Sequence, residues 1–450
     1  MPRPAAPTTA REAALHHLLA IEEGGSYANL VTARGQSALS DADRRLANEL
    51  TQGVTRRRGT LDWTLGQLLK DPLDKLTPAI RNILRLGAYQ LLFLTKVPPS
   101  AAVNESVKLA HRYGHAGVAK LVNGVLRNLD RRRAKLEPPR FADDPVAAMT
   151  HRYSLPAWLA ERWVERMGGE AEALGAWSLV PPKLALRVNT LRATVEQVEA
   201  ALTAAGVAFE RSTVVPEGLC LQEAVDVTAL PGYHEGWWYV QDEGAMLISR
   251  CVDPQPGETV IDVGAAPGGK TTHLAQLMEN RGAIMAVDSH AGRLLLLKEN
   301  CERLGVEIVT LVERSGADLA DLPQADRILL DVPCSGLGVL PRKPDVRWRQ
   351  TPEGIAGLTQ TQDALLDAAT TRLKPGGRLV YSTCTISREE NQDRIERFLK
   401  THPDFSLGDL APHLPAPWRT DIEKSGMIQL IPPRHGVDGF FIALLVRSHP

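Results

Sequence analysis

The stretch Val260-Ile261-Asp262-Val263-Gly264-Ala265-Ala266-Pro267-Gly268-Gly269-Lys270-Thr271 decides the fold. Thr259–Val263 reads as a buried strand, the small residues after it as a tight loop, and the run to Leu277 as a helix. Small residues at a strand-to-helix junction let backbone N–H groups approach a polar ligand closely. The string is not GxGxxG, but Gly264–Thr271 satisfies the nucleotide-binding pattern GxxxxGK[ST] in form. Two features count against an NTPase. Pro267 removes an N–H from the loop, and Leu329-Leu330-Asp331 runs straight into Val332-Pro333-Cys334-Ser335, an odd companion for such a loop.

Outward from this loop the pattern repeats. Strands are expected at 283–287, 308–312, 327–330 and 378–381, with helices at 292–304, near 355–373 and at 389–401, and a last apolar segment at 440–446. Strands separated by helices of this length predict an α/β, doubly wound, mainly parallel sheet. Ligands bind such sheets at the carboxyl ends of the strands.

Upstream, residues 8 to about 135 read as helix after helix, at 11–22 (stopping at Gly24-Gly25), 41–56, 61–69, 78–94, 101–113 and 119–133. Almost nothing there alternates with period two, so residues 1–140 form an all-α domain, with Glu137-Pro138-Pro139-Arg140 as its exit. Residues 141–235 mix helices (156–167, 194–205) with short strands (183–188, 207–210, 219–221) and suggest a small α/β linker domain. Residues 236–450 carry the large sheet.

The net charge of −1 hides an asymmetry. Residues 1–140 hold 22 Lys+Arg against 12 Asp+Glu, a balance of +10, and the remainder is −11. A basic module joined to an acidic one suggests a polyanionic partner for the first, although a solvated helical face gives the same count. No apolar run reaches membrane-span length, since 84–94 is broken by Arg85, Gly87 and Gln90. The first 15 residues lack the apolar core of a secretory signal. Five scattered cysteines without a CxxC pair argue against a disulfide framework or a metal site, and for a reducing, cytoplasmic compartment.

Asp288 ends the strand after the glycine loop, where a carboxylate can accept from ribose hydroxyls. Alone it is a weak signal, since a loop Asp is usually a helix cap; together with the glycine loop it supports a nucleoside cofactor. Asp331-Val332-Pro333-Cys334-Ser335-Gly336 follows one strand and Tyr381-Ser382-Thr383-Cys384-Thr385 another. Cys220, Cys251 and Cys301 read as small buried hydrophobes. Two cysteines beyond strand ends on the ligand side of one sheet can instead be activated by dipoles and neighbouring charge.

The set GAAPGGKT, LLDVPCSG and YSTCT resembles the RNA (cytosine-5)-methyltransferases of the Sun/NOL/NOP family. Arg187–Arg192 (RVNTLR), Val240–Ile248 (VQDEGAMLI), Arg342–Trp348 (RKPDVRW) and His435–Leu445 (HGVDGFFIALL) extend the likeness. PPSAAVNESVKLA and KLVNGVLRNL resemble a NusB-like RNA-binding domain, which points to the RsmB (Fmu/Sun) branch acting on 16S ribosomal RNA. The resemblance implies a Rossmann-like class I methyltransferase domain using S-adenosylmethionine. It assigns the methionine part of that cofactor to Gly264, Ala265, Ala266, Pro267, Gly268, Gly269 and Lys270, and the ribose to Asp288. An acidic residue near the adenine falls on Asp318, in a segment whose register departs from the family pattern. Gly264 stands where the family commonly has Cys or Asp. Cys384 becomes the nucleophile that adds to cytosine carbon 6, Asp331 the group that hydrogen-bonds the ring edge, and Cys334 the group that assists release. The expected partner is ribosomal RNA, free or partly assembled, bound by a monomer with no membrane association. Four other readings are an NTPase, a tRNA methyltransferase, a DNA cytosine methyltransferase using Cys334 as nucleophile, and a non-catalytic NusB-like antitermination protein.

Overall fold

In the computed structural model the described residues are 7–23, 28, 39–223, 225–424 and 426–449. The expected helix stop at Gly24-Gly25 and the extreme N-terminus lie outside them. The chain packs as two compact units, residues 1–181 with 340–350, and residues 182–339 with 351–450. The sequence reading had placed its boundaries after 140 and 235.

The first unit is helical. Its long helices are α1 (Ala10–Glu22), α2 (Asp41–Gly66), α3 (Pro78–Phe93), α4 (Pro99–Tyr113) and α5 (Ala116–Arg132), followed by α6 (Ala157–Met167) and α7 (Glu170–Trp177). Thr9 and Ser40 cap α1 and α2 by accepting from Glu12 N and Asp43 N. Helix α3 is apolar nearly all round and is the buried centre, packed by Leu50, Leu61, Leu109, Val122 and Leu126. Arg85 interrupts its apolar run without breaking it, because the guanidinium forks onto Asp62 at 2.7 and 2.8 Å. The two helices expected at 41–56 and 61–69 are one, α2. Gly59 sits in its middle because a Cβ there would meet the Thr150 carbonyl oxygen at 2.7 Å, so packing overrides the weak helix propensity of Arg-Gly-Thr.

Residues 340–350 pack with this unit through a short helical turn, Val346–Arg349. The Arg347 guanidinium is fully buried and donates to the carbonyls of Ser178 (2.7 Å) and Ser154 (3.3 Å). Trp348 Nε1 donates to the Thr55 carbonyl at 2.8 Å.

The second unit holds two sheets. Strands β1 (Leu184–Val188), β2 (Phe209–Arg211), β3 (Gly218–Leu221) and β4 (Trp238–Val240) pair antiparallel in the order β2-β3-β1-β4, covered by helix α8 (Val195–Ala204). Leu186, Val188, Val198, Leu202, Leu219 and Trp238 form their shared core. Helix α9 (Glu243–Val252) leads into the large sheet. Its elements are β5 (Thr259–Val263), α10 (Gly269–Leu277), β6 (Ala283–Asp288), α11 (Ala291–Leu304), β7 (Val309–Glu313), β8 (Ala325–Asp331), α12 (Pro352–Thr370), β9 (Leu373–Thr383), α13 (Gln392–Thr401), β10 (Phe405–Leu407), β11 (Ile422–Glu423), β12 (Met427–Gln429) and β13 (Phe441–Arg447).

The strand order is β11-β12-β13-β9-β8-β5-β6-β7, with β10 also on β13. From β7 to β9 the strands are parallel, and beyond β9 they are antiparallel. From β5 the chain moves outward to β6 and β7, then returns to β8 on the other side of β5. The order therefore reverses between β5 and β8, and their carboxyl ends flank the crevice where such sheets bind ligands.

Candidate active site

Every residue in this site belongs to the second unit. The glycine loop leaves β5 with Gly264 at φ +81°, a conformation that favours glycine. A Cβ there would lie 2.2 Å from the Asp331 carbonyl oxygen, so its absence lets the ends of β5 and β8 meet. Gly264 N and Ala265 N both donate to the Val287 carbonyl (2.9 and 3.2 Å), which hangs the loop from β6. The Ala266–Pro267 peptide is cis. Ala266 O accepts from Arg293, Pro267 O accepts from Asn300 Nδ2 at 3.0 Å, and Gly268 caps α10. From β1, the buried Arg187 donates to Gly269 O and to Thr272 Oγ1, bracing the first turn of α10.

Lys270 does not turn back into this loop as a nucleotide-binding lysine would. Its Nζ pairs with Asp331 Oδ2 at 2.7 Å. Burial opposes its charge, but Asp331 outweighs that and, with Cys384 contributing, holds the ammonium above its ordinary pKa. Ser382 Oγ donates to the other Asp331 oxygen at 3.1 Å.

Asp288, at the end of β6, is 5% exposed and accepts from Ala266 N (3.3 Å) and His290 N (3.0 Å), with Arg293 Nη1 at 3.3 Å. Asp318 is exposed in the turn after β7, where its amide donates to Ser315 O and its charge acts on Arg314. The structure thus brings Asp288 onto the glycine loop and Asp331 beside it, while Asp318 lies in the turn after β7.

Cys334 and Cys384 come together, with their sulfurs 3.3 Å apart. Backbone pairing closes this pocket: Val332 N donates to Ser382 O, Gly338 N to Cys384 O, and Gly439 N to Gly338 O at 2.7 Å. The Gly439 contact draws in the glycine-rich segment before β13. The two thiols differ in surroundings. The Cys384 contact first, then burial and the charge of Glu390, push the Cys334 thiol well above its ordinary pKa. Cys384 instead lies near the Lys270 ammonium and helps hold its charge.

Several site residues escaped sequence reasoning. Asp262 is fully buried in β5, and its Oδ2 accepts from Thr271 Oγ1 at 2.6 Å. Its Oδ1 has no hydrogen-bond partner, and burial pushes its pKa up to about 7. Glu390 also has no solvent exposure, and takes Ser335 N (2.8 Å) and Ser335 Oγ (2.5 Å). Asn391 links Thr383, Thr385 and Gln429. Glu390 and Asn391 had read only as part of the helix expected at 389–401, and their place seven and eight residues past the β9 strand end was the available signal.

The residues fit S-adenosylmethionine. A backbone loop with two positive-φ glycines, an orphaned acidic oxygen on Asp262 and a ribose-placed Asp288 suit a cationic nucleoside cofactor. The loop, the switch-point crevice and the paired thiols define an α/β protein with a nucleoside-cofactor crevice and two cysteines in contact beside it.

Comparison with known proteins takes this further. Residues 249–446 match the family described as 16S rRNA methyltransferase RsmB/F, residues 8–131 the NusB family, and residues 155–228 the RsmF/B-like ferredoxin-like domain. The probable ribosomal RNA small subunit methyltransferase B of Synechocystis sp. is 42% identical over 98% of this chain and 100% of its own. The corresponding Bacillus subtilis protein is 37% identical over 97% and 98%. Among solved structures, PH0851 aligns with a TM-score of 0.81 at 30% identity, over 98% of this chain and 99% of its own. NSun6 from Pyrococcus horikoshii, solved with a cofactor analogue, aligns at 0.59 and 26% identity over 67% and 100%. The chain belongs to the 16S rRNA methyltransferase RsmB/F family, and it is an S-adenosylmethionine-dependent methyltransferase.

Proposed function

We propose that this chain methylates carbon 5 of a cytidine in 16S ribosomal RNA through a covalent bond between Cys384 and the base. The observation that carries the reading is the 3.3 Å contact of two unlike thiols beside the Lys270–Asp331 pair. S-Adenosylmethionine supplies an electrophilic methyl group, and Gly264–Lys270 with Asp288 would hold it. Cytosine carbon 5 is a poor nucleophile until carbon 6 is attacked. The Cys384 thiolate, near the Lys270 ammonium, adds to carbon 6 and pushes the ring electrons toward carbon 5. Asp331 hydrogen-bonds the ring edge and helps deliver a proton to it as negative charge develops there. Once carbon 5 carries the methyl group it must lose its proton. As that proton passes to a base or to water, the carbon 5–carbon 6 double bond reforms and the Cys384 thiolate leaves, a release that Cys334, beside it, assists. The base reaches these sulfurs only out of its stack. Asp318 near the adenine is part of the same proposal.

We further propose that residues 1–140 serve as an RNA-binding module, 141–235 as a linker module and 236–450 as the catalytic one, in a monomer acting in the cytoplasm. The five free cysteines suit a reducing compartment. Among the described residues no helix is long and apolar enough to cross a membrane.

The two cysteines test the mechanism. Cys384→Ala should abolish both methylation and any covalent adduct. Cys334→Ala should still allow attack and transfer, then stall, leaving enzyme and methylated RNA joined as a denaturant-resistant band. The reverse pattern would make Cys334 the nucleophile and favour the DNA-enzyme mechanism. Bisulfite mapping of ribosomal and transfer RNA from cells with and without the protein tests the substrate; a lost signal in tRNA alone would overturn 16S RNA.

A further inference from the structure

The two cysteines come from separate loops, Cys334 after β8 and Cys384 after β9, whose backbones meet at Val332 N to Ser382 O and Gly338 N to Cys384 O, on either side of Cys334; side chains must fix the loop between those two points. One buried carboxylate joins the two loops there. Glu390 lies six residues beyond Cys384. Its Oε1 accepts from Ser335 N (2.8 Å) and Gln362 Nε2 (3.2 Å), and its Oε2 accepts from Ser335 Oγ (2.5 Å). Ser335 is the residue after Cys334, so the carboxylate grips the backbone next to that thiol. Ser335 Oγ also touches Thr385 Oγ1 at 2.7 Å, next to Cys384. Gln362 Nε2 further holds the Pro333 carbonyl at 3.0 Å, on the other side of Cys334. The Glu390 main chain is fixed in turn, since Tyr381 Oη donates to its carbonyl at 2.6 Å.

A carboxylate with no solvent exposure is costly unless its lone pairs are satisfied. Here three donors converge on it, all within one network of Ser335, Gln362, Thr385 and Tyr381. A capping residue at an exposed helix start needs no such burial. We propose that Glu390 is a positioning residue for the methylation: it locks the Cys334 loop onto the Cys384 loop and so sets the contact between the two sulfurs. This rests on the thiol mechanism proposed above for its consequence in catalysis. The placement of the sulfurs can be read without it.

The test uses the full chain and Glu390→Ala beside Glu390→Gln. The amide keeps the size of the side chain, an acceptor for Ser335 N and a donor that Ser335 Oγ can accept. Three quantities are measured: labelled S-adenosylmethionine affinity, kcat and KM for RNA methylation, and the rate at which diamide joins Cys334 to Cys384. In that last reaction the azo compound takes one hydrogen from each thiol and becomes the hydrazine as the disulfide forms, and peptide mass spectrometry identifies the pair. Expected for Glu390→Ala is cofactor affinity within about 3-fold of wild type, KM within about 3-fold, and kcat and cross-linking each lower by about 10-fold or more. Glu390→Gln should recover cross-linking and most of kcat, which a role in stability alone would not predict. Wild-type cross-linking in Glu390→Ala would overturn the proposal. If that variant fails to bind cofactor, Ser335→Ala decides, because it removes the donor to Oε2 while Oε1 of Glu390 keeps Ser335 N and Gln362 Nε2; slower cross-linking is expected and the wild-type rate overturns. Failure of the covalent-adduct experiment with altered cross-linking here would remove the thiol mechanism and leave Glu390 in place.

Discussion

At the scale of the residue, Asp288 shows how one carboxylate serves two surfaces. Its oxygens hold Ala266 N and His290 N, so it fixes the glycine loop as well as offering acceptors to a ribose. Asp288→Ala should weaken S-adenosylmethionine binding by about 1–3 kcal/mol, read by titration of the labelled cofactor. Asp288→Asn should lose less, because the amide keeps one acceptor for the loop. A dissociation constant unchanged in both variants would remove Asp288 from the site. Asp288, Asp331, Cys334 and Cys384 were all legible in sequence, because each follows a strand end and strand ends of such a sheet share one edge. The inequality of the thiols was not. It depends on Lys270 and Glu390, which lie 64 and 56 residues from Cys334 in the chain and meet the sulfurs only after folding.

At the scale of the element, α9, α10 and the turn before β3 are tied by one buried group. Glu217 takes a bidentate contact from Arg250 (2.6 to 3.1 Å) and lies 2.8 Å from His273 Nε2. Burial, opposed by Glu217 and aided by Arg187 and Arg250, holds the His273 imidazole at a pKa of about 4. Unfolded, it titrates near 6.5. Between these values the unfolded chain binds more protons, so the stability this histidine contributes is complete above about pH 6.5 and is lost as pH falls toward 4. At pH 5 the loss is about 2 kcal/mol. Thermal unfolding between pH 7 and 5 should show it, with His273→Gln flattening that part of the slope; an equal slope in the variant would mean that His273 is not the group responsible. Sequence periodicity found α10 but missed α9, and it missed β4, β10, β11 and β12. Strands of two or three residues carry too few side chains to show an alternation, and pairing with β1 or β13, or for β11 with β12, supplies what their own sequence lacks.

At the scale of the whole molecule, charge and packing divide the chain differently. The basic excess lies in residues 1–140, yet the unit that contains them also takes in residues 340–350 from the middle of the catalytic sequence. No sequence pattern announced that exchange: Arg342–Trp348 carried only a family likeness, and the acceptors of Arg347 and Trp348 at Ser178 and Thr55 are distant in the chain. The helical core itself does not need the insert. Its buried apolar residues run from Ala14 to Leu129, all inside the first 140. Residues 1–140 should therefore fold alone and keep their +10 balance. As a separate fragment they should bind RNA weakly at low salt, through phosphate contacts that release counterions. The logarithm of affinity should fall linearly with the logarithm of salt concentration, with a slope of about −0.7 for each phosphate neutralised on a single strand. Circular dichroism establishes that the fragment is folded, and a binding titration at several salt concentrations gives the slope. A folded fragment with no RNA affinity at low salt would leave the charge of α2 and α5 as a solvated face, and RNA binding would then belong to the rest of the chain.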